Sequence, residues 1–292
     1  MPWLINATQV EKFRKNQKNL IILDASLHHD DRDAKTEFLD KHITGAQFFN
    51  ITEFCDTNTN LPNMIELDEN KINEKLGKLG IKNDYKIIFY DNSELHTSAR
   101  ALWMFKVFGH NPQLLYILNG GFKSWQKDGK KTESGESNHT PKIYTSSIQK
   151  QYLNTLSDIK NIVKNSTNQI IDVRHPVRYS GGPEPRDNLR QGHIPGSFCL
   201  PFYTLFSKEG NFISAEHLRK KFKDLGVDIN APITTTCGSG LTAPILDFLI
   251  DLMPDTKHFV YDGSWSEWGY INLFPDEKSI DERPIEDCIS NK

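Results

Sequence analysis

One pattern of short apolar strands and glycine-bearing turns is written twice in this chain, in the same order, and that duplication restricts its fold more than any other feature. Leu20-Ile21-Ile22-Leu23-Asp24 resembles Gln169-Ile170-Ile171-Asp172-Val173, and His42-Ile43-Thr44-Gly45-Ala46 resembles His193-Ile194-Pro195-Gly196-Ser197. Residues 86–91 hold the place of 233–237, and Tyr116-Ile117-Leu118-Asn119-Gly120-Gly121 that of Phe259-Val260-Tyr261-Asp262-Gly263-Ser264. The matches stand roughly 140–150 positions apart, so the 292 residues divide into two copies of about 130, an ordinary domain size. Between the strands lie stretches with helical apolar spacing, at 72–79, 99–108, 218–225 and 241–253. Such alternation predicts an α/β fold, each copy a mainly parallel sheet flanked by helices.

Composition narrows the partners. A net charge of −3 argues against nucleic acid or an anionic membrane surface, and no apolar run approaches the ~18 residues of a membrane helix. Cys55, Cys199, Cys237 and Cys288 are scattered, and none forms a Cys-x-x-Cys pair. That usage predicts a reducing compartment without disulfides, and no zinc site, metal or cofactor. The N-terminus has neither signal-peptide nor Arg-rich import character. The expected location is therefore cytoplasmic, with a mitochondrial one left open because relatives of the family named below occur there. The sequons headed by Asn6, Asn50, Asn138 and Asn165 carry no meaning without secretion. The run from His28 to Asp33 reads as a solvated loop, because adjacent side chains rarely converge on one ion.

The chemistry concentrates in Cys237-Gly238-Ser239-Gly240-Leu241-Thr242-Ala243, where a β-prone run delivers a cysteine to a loop that opens a helix. Loop amides and a helix N-terminus favour a negative sulfur, and can bring a thiol from ~8.5 down to ~3.5–7.5. Gly238 and Gly240 permit turns that β-carbons would obstruct. Ser239 can donate to developing negative charge, and Thr242 can hydrogen-bond within the loop. The first copy has Asp91-Asn92-Ser93-Glu94 at the same place, without a thiol, so it is expected to be inactive.

These motifs, with Glu184-Pro185-Arg186-Asp187 and Gly192-His193-Ile194-Pro195-Gly196, resemble the tandem rhodanese-domain sulfurtransferases, especially the mercaptopyruvate branch. That branch has Cys-Gly-Ser-Gly-Val-Thr-Ala in the loop. The resemblance covers nearly the whole chain and implies two rhodanese-like domains with five-stranded sheets. It places an inactive domain at 1–128, a linker at 129–148, the catalytic domain at 149–274 and a tail at 275–292. It also implies transfer of sulfur from 3-mercaptopyruvate through a Cys237 persulfide to a small thiol, a thioredoxin-like protein or cyanide. Cys237 and Ser239 would be catalytic, Gly238, Gly240, Leu241 and Thr242 would form the active loop, and Arg186 and Arg178 would hold the donor.

Two departures leave alternatives standing. The segment from Arg178 to Arg186 is one residue shorter than the family's. The His and Asp that the mercaptopyruvate branch is thought to use fall, on matching from residues 48–51, on Asn63 and Thr52, which cannot titrate near neutrality. Thiosulfate as donor and a catalytically weak sulfur-binding or sensing protein are the other readings. A cysteine phosphatase on the same fold is disfavoured, because its loop would end on an arginine where Ala243 and Pro244 stand. His42 and His193 read as structural turns, Asp247 and Asp251 as an exposed helix face, and Trp265 and Trp268 as core or cleft residues.

Overall fold

The computed structural model describes residues 3–16, 19–137, 139–253, 256–271 and 282–288. Asn138 and most of the expected tail lie outside these. The chain forms two units: Met1–Asp56, Ile65–Gln149 and Ser207–Phe212 make the first, and Thr57–Met64, Lys150–Phe206 and Ile213–Lys292 the second.

Unit 1 contains β1 (Leu4–Ile5), α1 (Ala7–Asn16), β2 (Leu20–Asp24), α2 (Ala34–Asp40), β3 (His42–Ile43), β4 (Ala46–Phe48), α3 (Glu69–Lys78), β5 (Lys86–Tyr90), α4 (Ser98–Val107), β6 (Leu115–Leu118), α5 (Gly121–Lys127) and β7 (Thr132–Glu133). Its parallel sheet runs β1-β6-β5-β2-β4. Unit 2 contains β8 (Leu153–Asn154), α6 (Leu156–Asn165), β9 (Gln169–Asp172), α7 (Pro176–Tyr179), β10 (Phe198–Cys199), α8 (Ala215–Leu225), β11 (Ile233–Thr236), α9 (Ala243–Asp251), β12 (His258–Tyr261) and α10 (Ser264–Trp268). Its sheet runs β8-β12-β11-β9-β10, the same order strand for strand. The duplication legible in the sequence is thus a duplication of topology, and each unit is an α/β layer fold.

Local chemistry explains the elements. The strands are continuous apolar or threonine runs, as expected where helices cover both faces of a parallel sheet. Ile87, Ile88, Phe89, Ile170, Ile171 and Ile233 are all buried, each contributing about 1.5–3 kcal/mol. Asp68 caps α3, Thr155 and Asp158 close a capping box on α6, and Ser214 caps α8, which ends on Gly226 in the left-handed region.

The equivalence of the copies extends into segments read from sequence as linker and tail. In unit 1, β7 pairs with β3, placing Glu133 3.4 Å from His42 while its carboxylate accepts from Gly45 N–H. In unit 2, Glu286 bridges His193 in the same antiparallel sense, lies 3.6 Å from its ring and accepts from Gly196 N–H. Residues 129–149 also pack on unit 1: Tyr144 is buried, and Lys142, Ser147 and Gln149 N–H donate to Gly77, Phe108 and Val107.

Candidate active site

Strand β11 lies in the middle of its sheet and ends at Thr236, so Cys237 leaves the sheet at its C-terminal edge. Helix α9 starts at Ala243, and all its residues from Ala243 to Ile250 are buried, which fixes the loop at both ends. Thr242 stands at the cap of α9 but makes no side-chain capping bond, because its φ of −104° and ψ of −14° are not the extended cap geometry. The first-turn amides of α9 therefore have no side-chain cap, which favours an anion nearby. Gly240 has φ of +79°, a conformation glycine adopts without strain.

The loop carbonyls are tied down one after another. Trp265 N–H donates to Cys237 O at 3.0 Å. Gly238 O accepts from Ser266 N–H at 2.9 Å, Ser266 Oγ at 2.7 Å and Arg186 Nη2 at 2.8 Å. Asn63 Nδ2 donates to Ser239 O at 3.2 Å. In a trans peptide the N–H points away from the C=O, so each of these bonds also fixes the direction of the next N–H, that of Gly238, Ser239 and Gly240 in turn. Cys237 itself is buried, but a hydroxyl reaches it: Ser264 Oγ lies 3.7 Å from Sγ, accepts from Cys237 N–H at 3.1 Å, and lies 2.8 Å from Tyr261 O. One hydroxyl proton serves either Sγ or Tyr261 O, so an anionic sulfur would draw it over.

Arg178 and Arg186, the residues expected to hold a donor, converge on this loop. A Cβ on Gly238 would stand 3.3 Å from both Arg178 terminal nitrogens and 3.5 Å from Arg186 Nη2. Gly238 leaves room for this close approach, and its backbone is not left-handed, so a side chain there would press on the guanidiniums rather than strain the chain. Arg178 is held by Glu184, with Nη2 2.6 Å from Oε2 and Nε at 3.1 and 3.2 Å. Glu184 Oε1 also takes Arg174 Nη1 at 2.9 Å, and Arg174 binds Asp172 at 2.7 Å and lies 4.3 Å over the Trp265 ring. Burial discourages charge on Arg174, but Asp172 and Glu184 outweigh it and hold its pKa above the usual arginine range. Burial and the neighbouring Arg178 lower that of Arg186. Both Arg174 and Arg186 lie within electrostatic reach of Cys237.

Unit 1 shows what this place becomes without a thiol. Phe122 N–H donates to Asp91 O at 2.9 Å, as Trp265 N–H does to Cys237 O. The Asp91 carboxylate accepts from Ser93 N–H and from Ser98 N–H at the start of α4. Where the second copy has a thiol, a carboxyl group takes the hydrogen bonds of two backbone amides. Comparison with known proteins agrees: the rhodanese-like domain model matches residues 6–128 and 155–270.

The chain belongs to the rhodanese family.

Among similar proteins, 3-mercaptopyruvate sulfurtransferase of Homo sapiens is 36% identical over 265 residues, spanning 88% of this chain and 87% of that one. Thiosulfate sulfurtransferase of Gallus gallus is also 36% identical, over 252 residues, 85% of this chain and 86% of its own. The crystal structure of SseA from Escherichia coli, described as a 3-mercaptopyruvate sulfotransferase, aligns with a TM-score of 0.81 and 30% identity over 91% of this chain and all of that one. This rhodanese is thus a tandem-domain sulfurtransferase, an enzyme related to both donor classes.

Several residues of this rhodanese site are silent to motif reading: Asp172, Arg174, Ser264 and Ser266. Comparison of the copies held the signal, since Asp172-Val173-Arg174 stands where the thiol-free copy has Asp24-Ala25-Ser26, and Ser264 where it has Gly121. The departures expected at Thr52 and Asn63 behave differently. Thr52 Oγ1 donates to Asn50 in unit 1, whereas Asn63, grouped with unit 2, reaches Ser239.

The expectation of an exposed face at Asp247 and Asp251 is corrected. Helix α9 is buried all round, and Asp247 and Asp251 lie 2.6 and 3.2 Å from the two ring nitrogens of His258 on β12. Helical periodicity cannot report an ionic partner supplied by a strand. Trp265 and Trp268 are buried in the core of unit 2, their indole N–H groups donating to Arg190 O and Pro284 O. His42 and His193 stack on Phe38 and Tyr179 and bond the carbonyls of those same residues, the structural role expected. In the run from His28 to Asp33, His28 and Arg32 both meet Glu37. No helix among the described residues is long and apolar enough to cross a membrane.

Proposed function

We propose that this rhodanese takes the terminal sulfur of 3-mercaptopyruvate onto Cys237 and passes it to a thiol, with thiosulfate as a second donor. The observation that carries this reading is the convergence of Arg178 and Arg186 on Gly238, next to the thiol. A carboxylate-bearing donor bound to those guanidiniums would present its sulfur to the loop, each charge-assisted contact contributing about 1.5–3 kcal/mol. The Cys237 thiolate attacks the donor sulfur and the carbon–sulfur bond breaks. The electron pair leaves as the enolate of pyruvate, which takes up the donor's thiol proton and becomes pyruvate. The enzyme is left as Cys237–S–S⁻. Attack of an acceptor thiol on the outer sulfur then regenerates the thiolate.

The tied carbonyls of Cys237, Gly238 and Ser239 support an amide cradle around the bound sulfur, by analogy with the amides that hold Asp91 in unit 1. Ser239 would donate to the enolate oxygen and Leu241 would wall the loop. The acceptor is proposed to be a small thiol, or a thiol protein of the thioredoxin kind. Four free cysteines fit a reducing compartment, so a cytoplasmic location is proposed, and the mitochondrial matrix would meet the same requirement.

Thiosulfate is kept because relatives named for it match at the same identity, and because Asn63 and Thr52 supply no titrating pair to assist Ser239. Intact mass spectrometry after incubation with each donor decides. One added sulfur, absent in Cys237→Ser, is the expected result. No adduct from either donor would leave only the sulfur-binding reading.

A further inference from the structure

Three guanidiniums, Arg174, Arg178 and Arg186, share two carboxylates, Asp172 and Glu184, so this group carries one positive charge to set against the Cys237 thiolate. Glu184 is the shared member, since its side chain is only 3% exposed, Oε1 accepts from both Arg174 and Arg178, and Oε2 accepts from Arg178. Arg174 spends its remaining donors on Asp172 and on Gly192 O. Arg178 is partly exposed, and its terminal nitrogens face Gly238. The charge on Glu184 therefore sits directly behind the cation that faces the incoming donor.

We propose that Glu184 is a selectivity residue, cancelling one cation so that the site favours a singly charged α-keto acid over a doubly charged sulfur oxyanion. This rests on the reading of Cys237 as the sulfur carrier and adds what sets the donor's charge class. The argument is linear in charge: removing a negative group at fixed distance helps a dianion twice as much as a monoanion. Because Glu184 also orients Arg178, charge and geometry have to be separated by experiment.

The test uses binding without turnover. Cys237 is alkylated with iodoacetamide while sulfate, a dianion, or pyruvate, a monoanion, protects it, and the half-protecting concentrations are compared. Glu184→Gln is expected to improve sulfate relative to pyruvate about tenfold, and Glu184→Asp, which keeps the charge, to stay within about twofold of wild type. The same ratio change should appear in KM for thiosulfate against mercaptopyruvate. An unchanged ratio in Glu184→Gln, or an equal change in Glu184→Asp, overturns the proposal. If Glu184→Gln does not fold, the double variant Arg178→Gln/Glu184→Gln is compared with Arg178→Gln by the same criterion, since it leaves only Arg174, which keeps its pair with Asp172. Protection that follows this pattern without any sulfur adduct would count against the transfer reading and leave the selectivity role standing.

Discussion

The side-chain amide of Asn63 donates to the carbonyl oxygen of Ser239 at 3.2 Å, joining residues 176 positions apart. The bond fixes the Ser239–Gly240 peptide and with it the direction of the Gly240 N–H. Asn63→Ala is expected to lower kcat for mercaptopyruvate about three- to tenfold, the worth of one neutral hydrogen bond, with little change in KM. Steady-state kinetics check this; an effect on KM alone would mean that Asn63 serves binding instead.

Arg186 donates to Gly238 O, and the proposed function gives it a second duty, holding the donor carboxylate. Arg186→Ala should reduce kcat/KM for mercaptopyruvate about 10–100-fold. The loss for thiosulfate should be smaller, reflecting the loop alone. Equal losses on both donors would remove the carboxylate role.

The two loop glycines should fail in different ways. In Gly238→Ala the new methyl meets the Arg178 and Arg186 guanidiniums, so turnover should drop with the melting temperature nearly unchanged. In Gly240→Ala, at φ of +79°, the strain should cost about 1–2 kcal/mol of stability. Thermal melts beside activity assays separate the cases.

His258 lies between Asp247 and Asp251. Burial works against its charge, but the carboxylates prevail and raise its pKa to about 9. Because the folded value lies above the unfolded one, this stabilisation is complete below about pH 6.5 and fades as pH rises through about 9. It is on the order of 3 kcal/mol. Wild-type stability should therefore fall between pH 7 and 9.5, and His258→Gln should be flatter over that range. Parallel curves for the two proteins would refute the role.

Asp24 in unit 1 shifts in the same direction, over a lower pH range. Burial, partly offset by hydrogen bonds from Ser26, lifts its carboxyl to about 6. The folded state binds the proton more tightly than the unfolded state, so this group's contribution is best below about pH 4 and worsens as pH rises to about 6. Asp24→Asn, which can still accept from Ser26, should raise the melting temperature at pH 7.5 and not at pH 4. An equal shift at both values would point to packing rather than charge.

Much of this protein is determined by local pattern. Repeated apolar strands, turn glycines and the Cys237 loop specify two copies of one α/β layer fold and single out the copy with a thiol, because strand burial, turn geometry and sulfur chemistry are properties of short segments. Tertiary structure decided the rest. Arg174 meets Glu184, Ser266 meets Gly238, His258 meets Asp247 and Asn63 meets Ser239 only once the chain has folded, across separations of 10 to 176 residues. The charge balance around Cys237 is such a quantity: it depends on distances between side chains, and no spacing along the chain encodes them.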